Sequence, residues 1–191
     1  MAKSSFLLLL GLVAFAVSAM AAREISTETT PSSMMKEVRQ RASRRPTENE
    51  LAILQDRLGY KFKKMNLLIE ALTHSSFSEA NNDVLHVLGG KSVQQAIALH
   101  LIMENPDVTK GELDSVIRKH SEAKECAKDA AEIGLDSLIM VGKGVGDINN
   151  KILSSAFNAV FGAITVDDGP TTANFAYWTV KKWNDHHVDV I

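Results

Sequence analysis

The chain has 191 residues, a formal net charge of −2 and 45% hydrophobic residues. This length and apolar content fit one ordinary domain with extensions and exclude a low-complexity or fully disordered chain. The near-neutral charge gives no composition-level argument for nucleic acid, and the single cysteine, Cys126, excludes a disulfide within the chain.

The first residues have the pattern of a secretory signal peptide. Lys3 supplies a positive charge, residues 6–17 form an apolar run, and Ala19-Met20-Ala21 has the small-x-small form of a cleavage site. We therefore expect a signal peptide over residues 1–21 and no stable membrane span in the mature chain. The expected destination is the secretory pathway, either the endoplasmic reticulum or the exterior, with an organelle as the alternative.

Residues 22–46 form a polar, basic lead-in that we expect to be flexible. A solvated linker is the ordinary interpretation of such a segment, and contact with RNA phosphates or anionic lipid heads is the alternative. The arginines in its second half are Arg39, Arg41, Arg44 and Arg45.

The folded domain opens with two predicted helices. Thr47 and Glu50 have capping-box spacing, which predicts a helix that begins at Thr47 and ends at Gly59. A short second helix is predicted over 66–73, and His74 follows it. The buried stripe of the first helix is Leu51, Leu54 and Leu58.

A central helix is predicted from Asp83 to about Met103, with Val84, Leu85 and Leu88 at the start of its buried face. Asp83, His86 and Gly90 fall at i, i+3 and i+7, which places them on one side of this helix. Gly90 follows Gly89, although glycine within a helix costs about 1 kcal/mol relative to alanine. Such a pair is tolerated where two backbones pack closely or where a larger residue has been lost.

The second half of the chain is predicted to be helical as well. Asn105-Pro106 ends the central helix, and a second capping box at Thr109 and Glu112 begins two helices that continue to Gly134. The glycine-rich segment 141–146 lacks the spacing of a phosphate loop and is predicted to be a connection. An apolar helix over 150–166 should be central, and a last helix over 171–183 should cover the core with Phe175, Trp178 and Val180.

Several short motifs, in this order and spacing, resemble the ribonuclease III endonuclease domain over about 51–169. They are Ala71–Ser75, Leu85–Gly89, Gly111–Leu113 and Ile152–Asp167. The resemblance implies an all-α ribonuclease III endonuclease-domain fold over 47–169, followed by a C-terminal helix and tail over 170–191. Nothing after Gly169 is long enough for a double-stranded-RNA-binding domain. The resemblance further implies a homodimer formed through the central helix, with structured RNA as a candidate ligand.

The resemblance also implies where the acids of a two-magnesium nuclease would stand, and these positions are not acidic here. The four metal-binding carboxylates of the family fall on His86, Gly90, Ser155 and Asn158, and only Asp83, where the family has a glutamate, is still an acid. Mg²⁺ prefers carboxylate oxygens. We therefore expect no metal, no cofactor and no catalytic residue, and a non-catalytic module that binds RNA or a protein.

Other interpretations of the polar residues stay open. The chain is alternatively an active double-stranded-RNA endonuclease with Mg²⁺ held by Asp83 and acids elsewhere, namely Glu112, Asp114 or Asp147. His86 with Asp83 is a candidate zinc or manganese pair. We expect His74 and Cys126 to be structural, and the tail histidines His186 and His187 to hold no metal.

Overall fold

The computed structural model of the chain describes residues 44–188, with side chains through Lys182. The predicted signal peptide and most of the basic lead-in lie outside the described residues, as do the side chains of Trp183, His186 and His187. None of the helices in the described part of the chain is both long and apolar enough to cross a bilayer.

Between residues 44 and 188 the chain forms seven α-helices and no named strand, so the all-α prediction is confirmed there. In chain order the helices are α1 Glu48–Leu58, α2 Met65–Ala71, α3 Asp83–Glu104, α4 Lys110–His120, α5 Ala123–Glu132, α6 Asn150–Asp168 and α7 Pro170–Val188. A 3-10 turn at Leu135–Ser137 follows α5. Thr73 and Met140 form an isolated bridge, and this pairing ends α2 two residues before the predicted end.

Both predicted capping boxes are present. At the start of α1 the Thr47 hydroxyl accepts a hydrogen bond from the Glu50 amide, and the Glu50 carboxylate accepts one from the Thr47 amide. Thr109 and Glu112 repeat this pattern at the start of α4. The backbone N–H groups of the first turn therefore have partners that the sequence itself supplies.

Helix α6 is the centre of the domain, as its apolar sequence predicted. It packs against α2, α3, α5 and α7. A helix surrounded in this way buries side chains around its whole circumference, which explains why it has no polar face. Its buried residues are Ile152, Leu153, Ser154, Ala156, Phe157, Ala159, Val160, Phe161, Gly162, Ala163 and Ile164.

The buried face of α3 differs from the prediction. Leu85 is buried as expected, but Val84 is 77% exposed and Leu88 is 38% exposed. Gly89 decides this, because its close contact with α6 turns the line through Leu85 and Gly89 towards the core. Val84 and Leu88 therefore lie to the side of the contact.

The prediction for α7 was wrong at Phe175, which is 73% exposed. The side chains that α7 buries are Ala173, Ala176, Tyr177 and Val180. Phe175 precedes Tyr177 by two residues, which is roughly 200° around a helix, so both cannot face the same core.

One ion pair joins α7 to α5 inside the domain. Lys181 Nζ lies 2.7 Å from Asp129 Oδ2, and their side chains are only 18% and 4% exposed. The Lys181 ammonium also lies 5.9 Å from the ring centroid of Tyr177. No local pattern in the sequence indicates this pair, because Lys181 and Asp129 are 52 residues apart.

Candidate functional site

The candidate site lies where α3 crosses α6, and two glycines set the distance between the helices. A Cβ atom added to Gly89 would lie 1.6 Å from the Asn158 carbonyl oxygen, and one added to Gly162 would lie 2.1 Å from the Leu85 carbonyl oxygen. No side chain fits at either position. The backbones are thus in contact, which brings the residues beside the crossing close together.

The start of α3 is fixed by a buried asparagine. Asn82 is 1% exposed, its backbone N–H donates to the Thr73 carbonyl at 2.9 Å, and its side-chain Nδ2 donates to the Ala71 carbonyl at 3.2 Å. These bonds attach the first turn of α3 to the end of α2. At α6, the Asn149 side chain accepts from the Lys151 and Ile152 amides and caps the helix. Both helices that carry the site therefore begin at fixed points.

His86 is half-buried, and one nitrogen of its ring has no hydrogen-bond partner among the described residues. This nitrogen, Nδ1, is buried. Asp83 is exposed at the start of the same helix and forms no ion pair with His86 within the described part of the chain.

Gly90 faces open space. Apart from its chain neighbours and the backbone of its own helix, a Cβ atom added there would meet only Nδ2 of Asn158, at 3.8 Å, which is ordinary van der Waals contact. Asn158 and Ser155 are half-buried on α6, three residues apart. The structure therefore brings Gly90 and Asn158 together across the crossing, with His86 one turn before Gly90 and Ser155 just under one turn before Asn158.

Two of the acids considered for a rebuilt metal site, Glu112 and Asp114, have local roles. Glu112 caps α4 by accepting hydrogen bonds from the Thr109 amide and hydroxyl, and this holds the pKa of its carboxyl below the ordinary value. Asp114 pairs with Lys110 at 2.6 Å. Among the described residues, no three His, Cys, Asp or Glu side chains are grouped so that they could share a metal ion.

The remaining candidates occupy structural positions. The Nδ1 atom of His74 accepts a hydrogen bond from the Ser76 amide at 3.1 Å, and the Ser76 hydroxyl accepts one from the Gly142 amide at 2.9 Å. His74 therefore helps to join the loop after α2 to the glycine-rich connection. Burial raises the pKa of the Cys126 thiol to about 11, so this residue is a protonated core side chain at neutral pH.

Comparisons with known proteins match this fold and these helices. A family model described as Ribonuclease-III-like matches residues 64–179. The chain is 36% identical over 137 residues to the Arabidopsis thaliana protein Nuclear Fusion Defective 2, a match that covers 71% of this chain and 72% of that protein. The chain belongs to the ribonuclease III-like family.

Bacterial members of the ribonuclease III family are also similar. The chain is 33% identical to Ribonuclease 3 of Rhodopirellula baltica, over 61% of this chain and 46% of that protein. It is 38% identical to Ribonuclease 3 of Francisella philomiragia, over 65% of this chain and 52% of that protein. The chain therefore spans about half the length of these two bacterial relatives.

Solved structures of ribonuclease III nuclease domains agree. Two structures of the nuclease domain from Campylobacter jejuni superpose with TM-scores of 0.64 and 0.66, at 31% and 30% sequence identity. The matches cover 68% and 71% of this chain, and 95% and 96% of the bacterial domains. The fold of this chain is thus that of a ribonuclease III nuclease domain.

The side chains at the crossing do not fit the magnesium ions that this fold implies. Mg²⁺ binds carboxylates and water in near-octahedral geometry, and it loses its water reluctantly. His86 offers a nitrogen, Gly90 offers no side chain, and Ser155 and Asn158 offer neutral groups. Without anionic oxygens, nothing at this position offsets the cost of dehydrating the ion.

Proposed function

We propose that this chain is a non-catalytic ribonuclease III-like module that forms a homodimer and binds structured RNA or a protein. The observation that carries the proposal is the set of residues at the crossing of α3 and α6. His86, Gly90, Ser155 and Asn158 stand there on a backbone that leaves room for a Cβ atom at Gly90. The shape of a nuclease centre is retained, but the charges that hold metal are absent.

The proposed dimer is supported by the exposed apolar surface at the start of α3. Val84, Val87 and Leu88 are 77%, 65% and 38% exposed within two turns of one helix. A contiguous apolar surface of this kind is typical of a protein interface. One of the similar Campylobacter jejuni structures is described as showing structural flexibility in a region that is involved in dimer formation of the nuclease domain.

A role in karyogamy, the fusion of nuclei, is the cellular part of the proposal. It is supported by the similarity to the plant protein Nuclear Fusion Defective 2 and by the predicted signal peptide over residues 1–21. Entry into the endoplasmic reticulum, which is continuous with the nuclear envelope, would bring the chain to fusing membranes without RNA cleavage. A fluorescently tagged full chain is expected in the endoplasmic reticulum, and its accumulation in mitochondria or plastids would contradict this part.

The enzymatic question is tested by a cleavage assay on double-stranded RNA, with Mg²⁺ and with Mn²⁺, beside an active bacterial ribonuclease III. We expect no metal-dependent cleavage by this chain. Cleavage that disappears in the Asp83→Ala variant would show a rebuilt active site and overturn the proposal. A gel-shift assay with the same RNA in EDTA then separates the two ligand classes, because only an RNA-binding module retards the duplex.

A further inference from the structure

Helix α4 is packed less firmly than the other helices of the described part of the chain. None of its residues is fully buried, and its apolar residues Leu113, Val116 and Ile117 are only half-buried. An open cleft of about 740 Å³ lies beside it, between residues of α3, α4 and the start of α5. Elements with few buried apolar side chains open at the lowest free energy. Helix α4 is therefore the helix that should detach most easily from the domain.

The C-terminal end of α4 meets a cluster of charged groups from α5 and α7. His120 is the last residue of α4 and is half-buried. The charged groups that act on its ring are Lys119 on α4 itself, Glu125 and Asp129 on α5, and Lys181 on α7. Asp129 and Lys181 form the 2.7 Å ion pair inside the domain. The imidazole thus ends α4 in the electrostatic field of the pair that joins α5 to α7.

This environment favours the neutral imidazole. Burial, followed by the cations Lys181 and Lys119, lowers the pKa of His120, and the carboxylates of Glu125 and Asp129 offset this only in part. In an unfolded chain the histidine pKa is about 6.5, so the ring binds a proton more readily once its surroundings open. The packing of His120 therefore contributes its full stability above that pH, and the contribution is lost as the pH falls through about 6.5 towards the folded pKa.

We propose that the C-terminal end of α4 is an acid-sensitive switch, in which protonation of His120 adds a third cation to Lys119 and Lys181 and releases α4 from α5 and α7. With a neutral imidazole, α4 stays packed on these two helices. With a charged imidazole, α4 detaches and the cleft between α3, α4 and α5 widens, while the ion pair between Asp129 and Lys181 keeps α5 and α7 together. The switch does not depend on whether the chain binds RNA or a protein.

The test is amide hydrogen exchange of the full chain, measured by mass spectrometry at about pH 7.5 and about pH 5.5, on either side of the ordinary histidine pKa. Rates are corrected for the intrinsic pH dependence of exchange. The protection of the α4 amides is expected to fall at least about threefold at the lower pH, while the α6 amides keep theirs. The bonds from Thr109 lower the pKa of Glu112, so this carboxylate stays charged at both pH values and the cap of α4 is not lost.

Three variants assign the response to His120. His120→Gln keeps a neutral polar side chain and should abolish the acid response of α4. His100→Gln replaces another half-buried histidine, on α3, and should retain the response. Glu125→Gln removes a carboxylate that favours the charged ring, so it should enlarge the loss of protection. The protection of the α6 amides at the higher pH verifies that each variant is folded.

Four results would overturn the switch. They are constant α4 protection in the parent chain, an acid response that persists in His120→Gln, a response that disappears in His100→Gln, and equal losses in α4 and α6, which would indicate global unfolding. A loss in Glu125→Gln that is no larger than in the parent chain would show that the surrounding charges do not control the response, and it would also contradict the proposal.

Discussion

At the scale of single residues, two neighbouring glycines in α3 have opposite reasons to be there. Gly89 touches the backbone of α6, where any Cβ would overlap the Asn158 carbonyl, while Gly90 faces space that would accept a Cβ. Packing therefore requires glycine at the first position only. At Gly90 the missing side chain is a feature of the site and not of the fold.

We predict opposite effects of alanine at the two positions. Gly89→Ala forces α3 and α6 apart and should destabilise the domain by at least about 3 kcal/mol. Gly90→Ala should stabilise it by up to about 1 kcal/mol, because alanine favours the helix and meets only ordinary contacts. Urea denaturation of both variants measures this difference, and equal effects would contradict the geometry of the crossing.

Acids restored at the site should repel one another when no metal is present. His86→Glu combined with Gly90→Asp places two carboxylates one turn apart on α3, near Asp83, which is unfavourable at i, i+4 spacing. We predict a lower melting temperature in EDTA than for the neutral pair His86→Gln with Gly90→Asn. Equal melting temperatures would show that loss of the acids brought no stability.

At the scale of elements, two kinds of interaction hold the helices in place. Caps and loop anchors fix the ends, as where the Asp167 carboxylate accepts hydrogen bonds from the Tyr60 hydroxyl and the Lys63 amide at 2.8 and 2.7 Å. Apolar packing fixes the faces, and here the polar tip of Tyr177 is buried with no hydrogen-bond partner among the described residues. The two tyrosines of the chain thus differ in what their hydroxyls contribute.

Removing each hydroxyl tests this difference. Tyr177→Phe deletes a buried, unpartnered O–H group and should be neutral or stabilise the domain by about 1 kcal/mol. Tyr60→Phe deletes the bond to Asp167 and should destabilise it by about 1–2 kcal/mol. Thermal denaturation in matched buffer decides the matter, and a loss of stability in Tyr177→Phe would reveal a partner for its hydroxyl.

The residues at the start of α1 should make the stability of the domain depend on pH in the acid range. The Arg44 guanidinium and then the Thr47 amide lower the pKa of the Glu50 carboxyl to about 2, against about 4.3 in an unfolded chain. Glu50 therefore makes its full contribution to the free energy of unfolding above the pKa that it has in the unfolded chain. This contribution is lost as the pH falls from about 5 towards 2.

Denaturation between pH 7 and pH 2 measures this contribution. Glu50→Gln should be less stable than the parent at pH 7, and the two should converge in acid. Glu79→Gln, in an exposed loop, serves as the control and should follow the parent throughout. A constant difference between Glu50→Gln and the parent across this range would exclude the proposed linkage.

At the scale of the whole molecule, the surface of α3 divides into two regions. The first two turns expose Val84, Val87 and Leu88, and the last two turns expose Leu99, Ile102 and Met103. Only the first region adjoins the crossing with α6. A dimer formed there would place the two candidate sites near a shared interface.

Charge at the first region should break the proposed dimer. We predict that Val87→Glu is a monomer at concentrations where the parent chain is a dimer, because a buried unpaired carboxylate opposes association. Met103→Glu adds the same charge at a site of similar exposure, roughly 24 Å away along the helix axis, and should remain dimeric. Sedimentation velocity distinguishes the species, and a monomeric parent chain would refute the interface.

The sequence alone determined the helices and their caps, because hydrogen bonds between residues three or four apart and apolar spacing are local properties. The family resemblance of the sequence showed that neutral residues stand at the family's acidic positions. Thr47, Thr109 and the apolar stretch of α6 could be interpreted without any partner. Only the tertiary structure decided which faces are covered, since a helix turned by about 100° per residue offers several apolar faces and the neighbouring helix selects one. That selection buried Tyr177 instead of Phe175, and it separated Gly89, which the fold requires, from Gly90, which it does not.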